Sequence, residues 1–159
     1  MTSRIGHPDF RLNSEWEACI EESLREVFGV MLELKVQRRA NLRLVPDLTA
    51  LVGLTGSLNA WFTIRCSRRV AATLASRMLA QQAVQGEEQI FDALGEICNI
   101  VAGNFKARLW SLSSTCRLSS PTVLSGEHGE PLKPKTGQTL EILIECNNFP
   151  LEAALHVNG

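Results

Sequence analysis

The chain has 159 residues, of which 45% are hydrophobic and 21% are charged, which is typical of one globular domain with a sizeable core. Sixteen basic residues oppose 17 acidic ones, and this balance disfavours a general nucleic-acid binder, which is usually far more basic. No apolar run approaches the roughly 20 residues of a membrane-spanning helix, and the N-terminus lacks the apolar core of a signal peptide. These features predict a cytoplasmic protein.

The cysteines and histidines show neither the spacing of a metal site nor that of a disulfide framework. The five cysteines are odd in number, widely spaced and without a C-x-x-C pair, and the three histidines lie apart from them. We therefore expect no metal site, and we expect each cysteine to be a small buried hydrophobe.

The chain begins with a predicted arm and a predicted helix. Residues 1–13 form the arm, and a single domain is expected over 14–159. Apolar residues then recur at helical spacing, which predicts a helix that begins at Asn13 or Ser14 and ends at Gly29.

Three strands are predicted in the part of the chain that follows this helix. Apolar and polar residues alternate over 32–36 and 58–66, and residues 48–55 are rich in apolar and β-branched side chains. The basic stretch 37–47 is predicted to connect the first two of these strands.

The remainder of the chain predicts two helices and a β-rich end. Ser67 is a suitable N-cap for a helix that runs to about Leu79, and a long helix is predicted from Glu87 to Leu112 after the break at Gly86. Further strands are predicted over 115–124 and over a hairpin, 140–146 and 149–157, with a turn at Asn147-Asn148. The class is therefore α+β: about six strands in a largely antiparallel sheet, with long helices packed on one face.

The long helix carries the most information about function. At 100° per residue its large apolar side chains gather on one side, which predicts the core face. The opposite side carries a polar stripe of Asp92, Gly95, Glu96, Asn99, Gly103, Lys106 and Trp110. A glycine in a helix interior costs about 1 kcal/mol relative to alanine. Because core packing is not expected to need these two glycines, they favour a surface that another molecule approaches closely.

Glu96 and Asn99 lie one turn apart between the two glycines, so a carboxylate and a carboxamide are expected to project together. The spacing alone is a weak indication, because Glu145 and Asn148 repeat it on a strand and turn. The alternative is a solvated helix face on which the pair occurs by chance.

Three further residues of this helix have structural interpretations. Asn104 lies at the edge of the core stripe, and we expect a structural role as a polar anchor between the helix and a neighbouring loop. Lys106 and Trp110 extend a partner-binding face, or they are a solvated lysine and a partly packed tryptophan.

The run DALGEICNIVAGN at 92–104 resembles the signature helix of the CheC/CheX/FliY phosphatases. The stretch 54–79 is similar to the same family, with a glycine turn and a strand that leads into a helix ending in Met-Leu. The resemblance extends over 10–157 and is sharp over about 90–105. Ala60 departs from it, because the family often has glycine there.

The pattern is closest to CheX within that family. Members of the CheC type carry two Glu-x-x-Asn helices, and the first helix of this chain has none. A single such helix without a FliY-like extension resembles CheX, whose members dimerise, so we expect a homodimer.

The resemblance implies a phosphatase that hydrolyses the aspartyl phosphate of a CheY-like response regulator. Asn99 would orient the attacking in-line water, and Glu96 would pair with the active-site lysine of the regulator. No cofactor of its own is implied, since Mg²⁺ would be supplied by the bound regulator. The implied partner-binding residues are Asp92, Gly95, Gly103 and Lys106.

Two other functions stay open at this point. One is a non-catalytic module that binds a receiver domain in chemotaxis or another two-component pathway, and the other is a dimerisation domain with an incidental polar helix face. A nucleic-acid partner is not expected, because the chain is near neutral and its two arginine clusters lack an aromatic platform: Arg38, Arg39 and Arg43, and Arg65, Arg68 and Arg69. A membrane partner is not expected either, because no apolar run is long enough to span a bilayer.

Overall fold

The computed structural model describes residues 14–80, 86–109, 112, 114–126 and 137–158. The predicted arm at 1–13 lies outside these residues. The helices are α1 (Ser14–Leu24), α2 (Arg68–Leu79) and α3 (Glu87–Arg108), and a π-helical segment (Arg25–Met31) continues α1. The strands are β1 (Val36–Arg39), β2 (Leu48–Gly56), β3 (Ala60–Cys66), β4 (Cys116–Leu118), β5 (Thr122–Ser125), β6 (Gly137–Cys146) and β7 (Phe149–Asn158).

The strands form one antiparallel sheet in the order β1-β6-β7-β3-β2-β4, with β5 also paired to β2. The predicted hairpin of β6 and β7 is confirmed. Its turn residues, Asn147 and Asn148, both have the left-handed backbone (φ 49° and 69°) that suits a two-residue hairpin. The α+β class and the antiparallel sheet are confirmed, and the strand predicted at 115–124 is in fact two strands.

The first helix does not end at Gly29 as predicted. It continues as the π-helical segment to Met31, and the Leu32 N–H donates to the Val27 carbonyl at 3.0 Å. The left-handed residue that ends it is Glu33, with φ 56°. Gly29 keeps a helical backbone because the change of direction falls four residues later.

The strand predicted at 32–36 is also wrong, because β1 begins only at Val36 and continues into the stretch predicted to be a connection. Leu32 and Leu34 are buried from irregular backbone, so their alternation reports core contact and not a strand. The basic residues of β1 pair with neighbouring elements. Arg38 contacts Glu17 and Glu21 of α1, and Arg39 lies 3.3 Å from Glu145 of β6.

The helices that follow agree more closely with the sequence. Ser67 caps α2 as predicted, since its hydroxyl accepts a hydrogen bond from the Val70 N–H at 3.1 Å. Helix α3 begins at Glu87 as predicted, but it ends at Arg108 and not at Leu112, because Leu109 adopts an extended backbone.

The hydrophobic core lies between the helices and one face of the sheet. Helix α3 contacts β2 and β3, and α1 packs beside α3. The fully buried Phe105 of α3 meets the ring of Trp16 edge-on at 5.8 Å and stacks on Phe62 at 6.4 Å. These contacts hold the apolar side of α3 and leave its polar stripe beside β4 and β5.

Candidate active site on helix α3

The core stripe of α3 is buried as predicted. Leu94, Ile97 and Val101 are buried, and the Cys98 thiol lies 3.7 Å from the carbonyl oxygens of Ala50 and Phe62. Burial raises the pKa of Cys98 to about 12. The cysteine within the motif therefore points into the core, which removes it from the chemistry of the opposite face.

Glu96 and Asn99 lie on the opposite side of α3. Glu96 is exposed and Asn99 is half-buried. Residues three apart on a helix have their Cβ atoms about 5–6 Å apart, so the two side chains are neighbours. Among the described residues neither side chain has a hydrogen-bond or ion-pair partner. A carboxylate and a carboxamide are thus both available to another molecule.

The two glycines of the stripe differ in their surroundings. Gly95 is buried, and a Cβ added to it would lie 3.3 Å from Pro121 Cβ and 3.5 Å from Val123 Cγ2. The expectation that packing does not need this glycine is therefore wrong, because β5 presses against it. At Gly103 an added Cβ would lie 3.7 Å from Leu118 Cδ1, which is an ordinary contact. The partner-binding roles of both residues stay predictions.

The connection between β4 and β5 is the part of the site that the sequence reasoning missed. The Gly53 N–H donates to Ser119 Oγ at 2.8 Å, and the Ser119 N–H donates to the Gly53 carbonyl at 2.9 Å. This pair of hydrogen bonds holds the connection against β2 and brings Pro121 onto Gly95. The proline within the predicted strand at 115–124 was the available signal, since proline interrupts a strand.

An open groove lies between α3 and this connection. Its volume is about 380 Å³. The Arg68 guanidinium, which is paired with Glu87, lies 5.8 Å from the ring centre of Phe91. The lining residues are Phe91, Asp92, Gly95, Glu96, Pro121 and Val123.

The other predicted residues of α3 have different environments. Asp92 is exposed and Lys106 is half-buried on the same stripe, while Trp110 lies outside the described residues. The Asn104 amide donates to the Ile100 carbonyl at 3.2 Å. Asn104 therefore bonds to its own helix, one turn back, and not to a neighbouring loop as expected.

Two kinds of feature are absent from the described parts of the chain. No helix in them is long and apolar enough to cross a membrane. Nowhere in the same residues do three or more histidine, cysteine, aspartate or glutamate side chains gather as a metal site would require.

A family model described as chemotaxis phosphatase CheX matches residues 48–145, a stretch that contains the whole of α3 and the β4–β5 connection. The chain belongs to the CheX family. It is also 25% identical over 120 residues to the CheY-P phosphatase CheX of Thermotoga maritima, a match that covers 74% of this chain and 77% of that relative.

Solved structures of CheX proteins share the fold. The chemotaxis protein CheX from Vibrio vulnificus has a TM-score of 0.76 at 21% identity, over 92% of this chain and 99% of that one. The CheX of the CheX–CheY–BeF₃–Mg²⁺ complex from Borrelia burgdorferi has a TM-score of 0.73 at 19% identity, over 94% and 100% of the two chains.

Proposed function

We propose that this protein is a phosphatase that hydrolyses the aspartyl phosphate of a CheY-like receiver domain. Membership of the CheX family supports the phosphatase chemistry. The Thermotoga maritima relative is named for CheY-P, and the Borrelia burgdorferi relative was crystallised with CheY, which supports the choice of substrate. The observation that carries the proposal is the unpartnered pair Glu96 and Asn99 on a helix anchored by its opposite face.

Asn99 is proposed to orient the attacking water. In the reaction the water oxygen forms a bond to phosphorus while the bond to the aspartyl oxygen breaks, and the water gives up a proton. Catalysis of such a step depends mainly on positioning and charge stabilisation. A neutral carboxamide can hold the water without bringing negative charge towards the phosphoryl oxygens. The half-buried position of Asn99 limits the conformations of its side chain.

Glu96 is proposed to set the position of the receiver. Its exposed carboxylate has no cationic partner among the described residues. A lysine in the active site of the receiver can pair with it through a charge-assisted hydrogen bond, which would fix the register of docking. Asn99, one turn further along α3, would then lie at the phosphoryl group.

The remaining components follow from this choice of partner. Mg²⁺ is proposed to be held by the receiver, with no cofactor bound by this chain alone. The proposed location is the cytoplasm, because the proposed substrate is a receiver of a two-component pathway. A homodimer stays a prediction.

The proposal is tested by the loss of radioactive phosphate from a phosphorylated CheY-type receiver with Mg²⁺. Wild-type protein is expected to accelerate the loss. Asn99→Ala is expected to reduce the acceleration about 100-fold, because a misplaced reactant alone costs that much. Glu96→Ala is the second test variant, and Glu88→Ala is its matched control, since Glu88 is an exposed carboxylate on the same helix, outside the groove and two turns before Glu96.

Two outcomes would contradict the proposal. If the receiver loses phosphate at the same rate with and without wild-type protein, while binding it, the chain is a non-catalytic receiver-binding module. If Asn99→Ala and Glu96→Ala are both as active as wild type, with unchanged thermal unfolding, the phosphatase site lies elsewhere on the molecule.

A further inference from the structure

The groove beside Glu96 has one acidic wall and one apolar wall. Asp92 and Glu96 lie one turn apart on α3, and like charges at that spacing repel each other. Both are exposed, and no cation pairs with either one among the described residues. Arg68, which lies beside the ring of Phe91 in the same groove, is paired with Glu87 and not with either carboxylate of this wall.

The opposite wall is built from the β4–β5 connection and the start of β5. Pro121 and Val123 press against Gly95, which forms a floor without a side chain. The two hydrogen bonds between Ser119 and Gly53 hold this wall to the sheet. The groove therefore has an apolar wall that is held to the sheet, and this wall faces the acidic wall on α3.

We propose that this groove is a second contact with the receiver and that it takes a lysine or arginine side chain from the receiver surface. The alkyl stem would lie along Pro121 and Val123 while the cationic head meets Asp92. Long basic side chains commonly bury the stem on apolar surface and keep the charge at its edge. This inference rests on the proposed function, because the receiver is its occupant.

Two features favour the receiver over any other occupant. Glu96 belongs both to the groove and to the proposed docking pair, so a receiver whose lysine reaches Glu96 also covers the groove. The charge of the groove also favours a cationic side chain, since the exposed carboxylate of Asp92 has no cationic partner among the described residues. Asp92, Pro121 and Val123 then determine which receiver is accepted, while Glu96 and Asn99 carry the chemistry.

The inference is tested by binding of a CheY-type receiver activated with beryllium fluoride and Mg²⁺. Asn99→Ala protein serves as the background, so that catalysis does not enter the measurement. Asp92→Lys is expected to raise Kd about tenfold, as for a charge reversed within an interface. Glu88→Lys, the same charge change one turn before Asp92 on α3, is expected to raise it less than about twofold. Pro121→Glu tests the apolar wall independently.

A charge-reversal scan of the receiver identifies the cation. Each exposed lysine and arginine around the phosphorylated aspartate is changed to glutamate in turn. One of these changes is expected to lower the Kd of Asp92→Lys at least about fivefold, because the new glutamate pairs with the new lysine. A general loss of positive charge on the receiver would not single out one position in this way. In otherwise wild-type protein, Asp92→Lys is expected to raise KM for the phosphorylated receiver and to leave kcat unchanged.

Several results would overturn the inference, and they differ from those that overturn the proposed function. If Asp92→Lys and Pro121→Glu both bind the receiver as tightly as the Glu88→Lys control, and the protein is an active phosphatase, the groove is not a contact with the receiver and the proposed function stands. If wild-type protein does not hydrolyse the phosphate, but Asp92→Lys still weakens binding, the groove contact is supported and the phosphatase function is wrong. If no activated receiver binds, both the groove contact and the proposed function are wrong.

Discussion

Replacement of Gly103 by alanine is expected to stabilise the protein and to weaken its contact with the receiver. Gly103 lies inside α3 without a positive φ, and an added Cβ would stand 3.7 Å from Leu118 Cδ1. Alanine therefore fits without a clash. The gain from helix propensity is about 1 kcal/mol in the free energy of unfolding.

The same substitution at Gly95 is the matched comparison. There the added Cβ would lie 3.3 Å from Pro121 Cβ, so the β4–β5 connection must move by a few tenths of an ångström. Overpacking costs about 1 kcal/mol at the low end of its range, and the low end applies because Pro121 is exposed. The cost cancels the propensity gain at Gly95. The two variants should therefore differ by about 1 kcal/mol, or about 3 °C in Tm for a domain of this size.

Urea and thermal unfolding measure the two stabilities, and KM for the phosphorylated receiver measures the contact. For Gly103→Ala we expect a higher Tm together with a higher KM, because the methyl group would stand between the two surfaces. A free energy of unfolding below that of wild type would refute the packing argument. A higher Tm with an unchanged KM would refute the partner contact of Gly103.

Two further predictions concern the fold that supports the site. Ser67→Ala removes the hydroxyl that caps α2 and should lower the free energy of unfolding by about 1 kcal/mol. Ser67→Asp keeps a side chain that can cap the helix, so it should be more stable than Ser67→Ala. Equal urea midpoints for the two variants would contradict the capping role of Ser67. Burial raises the pKa of Cys98 from 9.0 to about 12, so its contribution to stability is complete below pH 9 and is lost as the pH rises towards 12. The buried Cys98 thiol therefore lowers the free energy of unfolding by about 1.4 kcal/mol per pH unit above pH 9. Urea unfolding at pH 8 and 10.5 should show a smaller decrease in this free energy for Cys98→Ala than for wild type. The same decrease in both proteins would contradict the burial argument.

The features that the sequence predicted well depend on residues close together in the chain. The β6–β7 hairpin follows from two asparagines that tolerate a left-handed backbone, and α2 follows from a serine cap. The exposed side of α3 follows from helical periodicity, which separates Glu96 and Asn99 from Cys98. Each of these needs no knowledge of what packs against the element.

The errors concern contacts between distant parts of the chain. Alternation at Leu32 and Leu34 looked like a strand because both side chains reach the core from irregular backbone. Gly95 looked like an open surface because its neighbour, Pro121, is 26 residues further along the chain and is brought there by the pairing of β5 with β2. The groove could not be predicted for the same reason, since one of its walls is formed by the β4–β5 connection and the start of β5.

The most direct test of the central claim is a comparison of wild type and Asn99→Ala on one phosphorylated receiver, at protein concentrations that saturate binding. Saturation removes any difference in affinity, so only the hydrolytic step is compared. We predict that wild type accelerates phosphate loss and that Asn99→Ala binds the receiver activated by beryllium fluoride equally well but loses about 99% of the acceleration. Equal rates of hydrolysis for the two proteins would contradict the assignment of Asn99 as the residue that positions the attacking water.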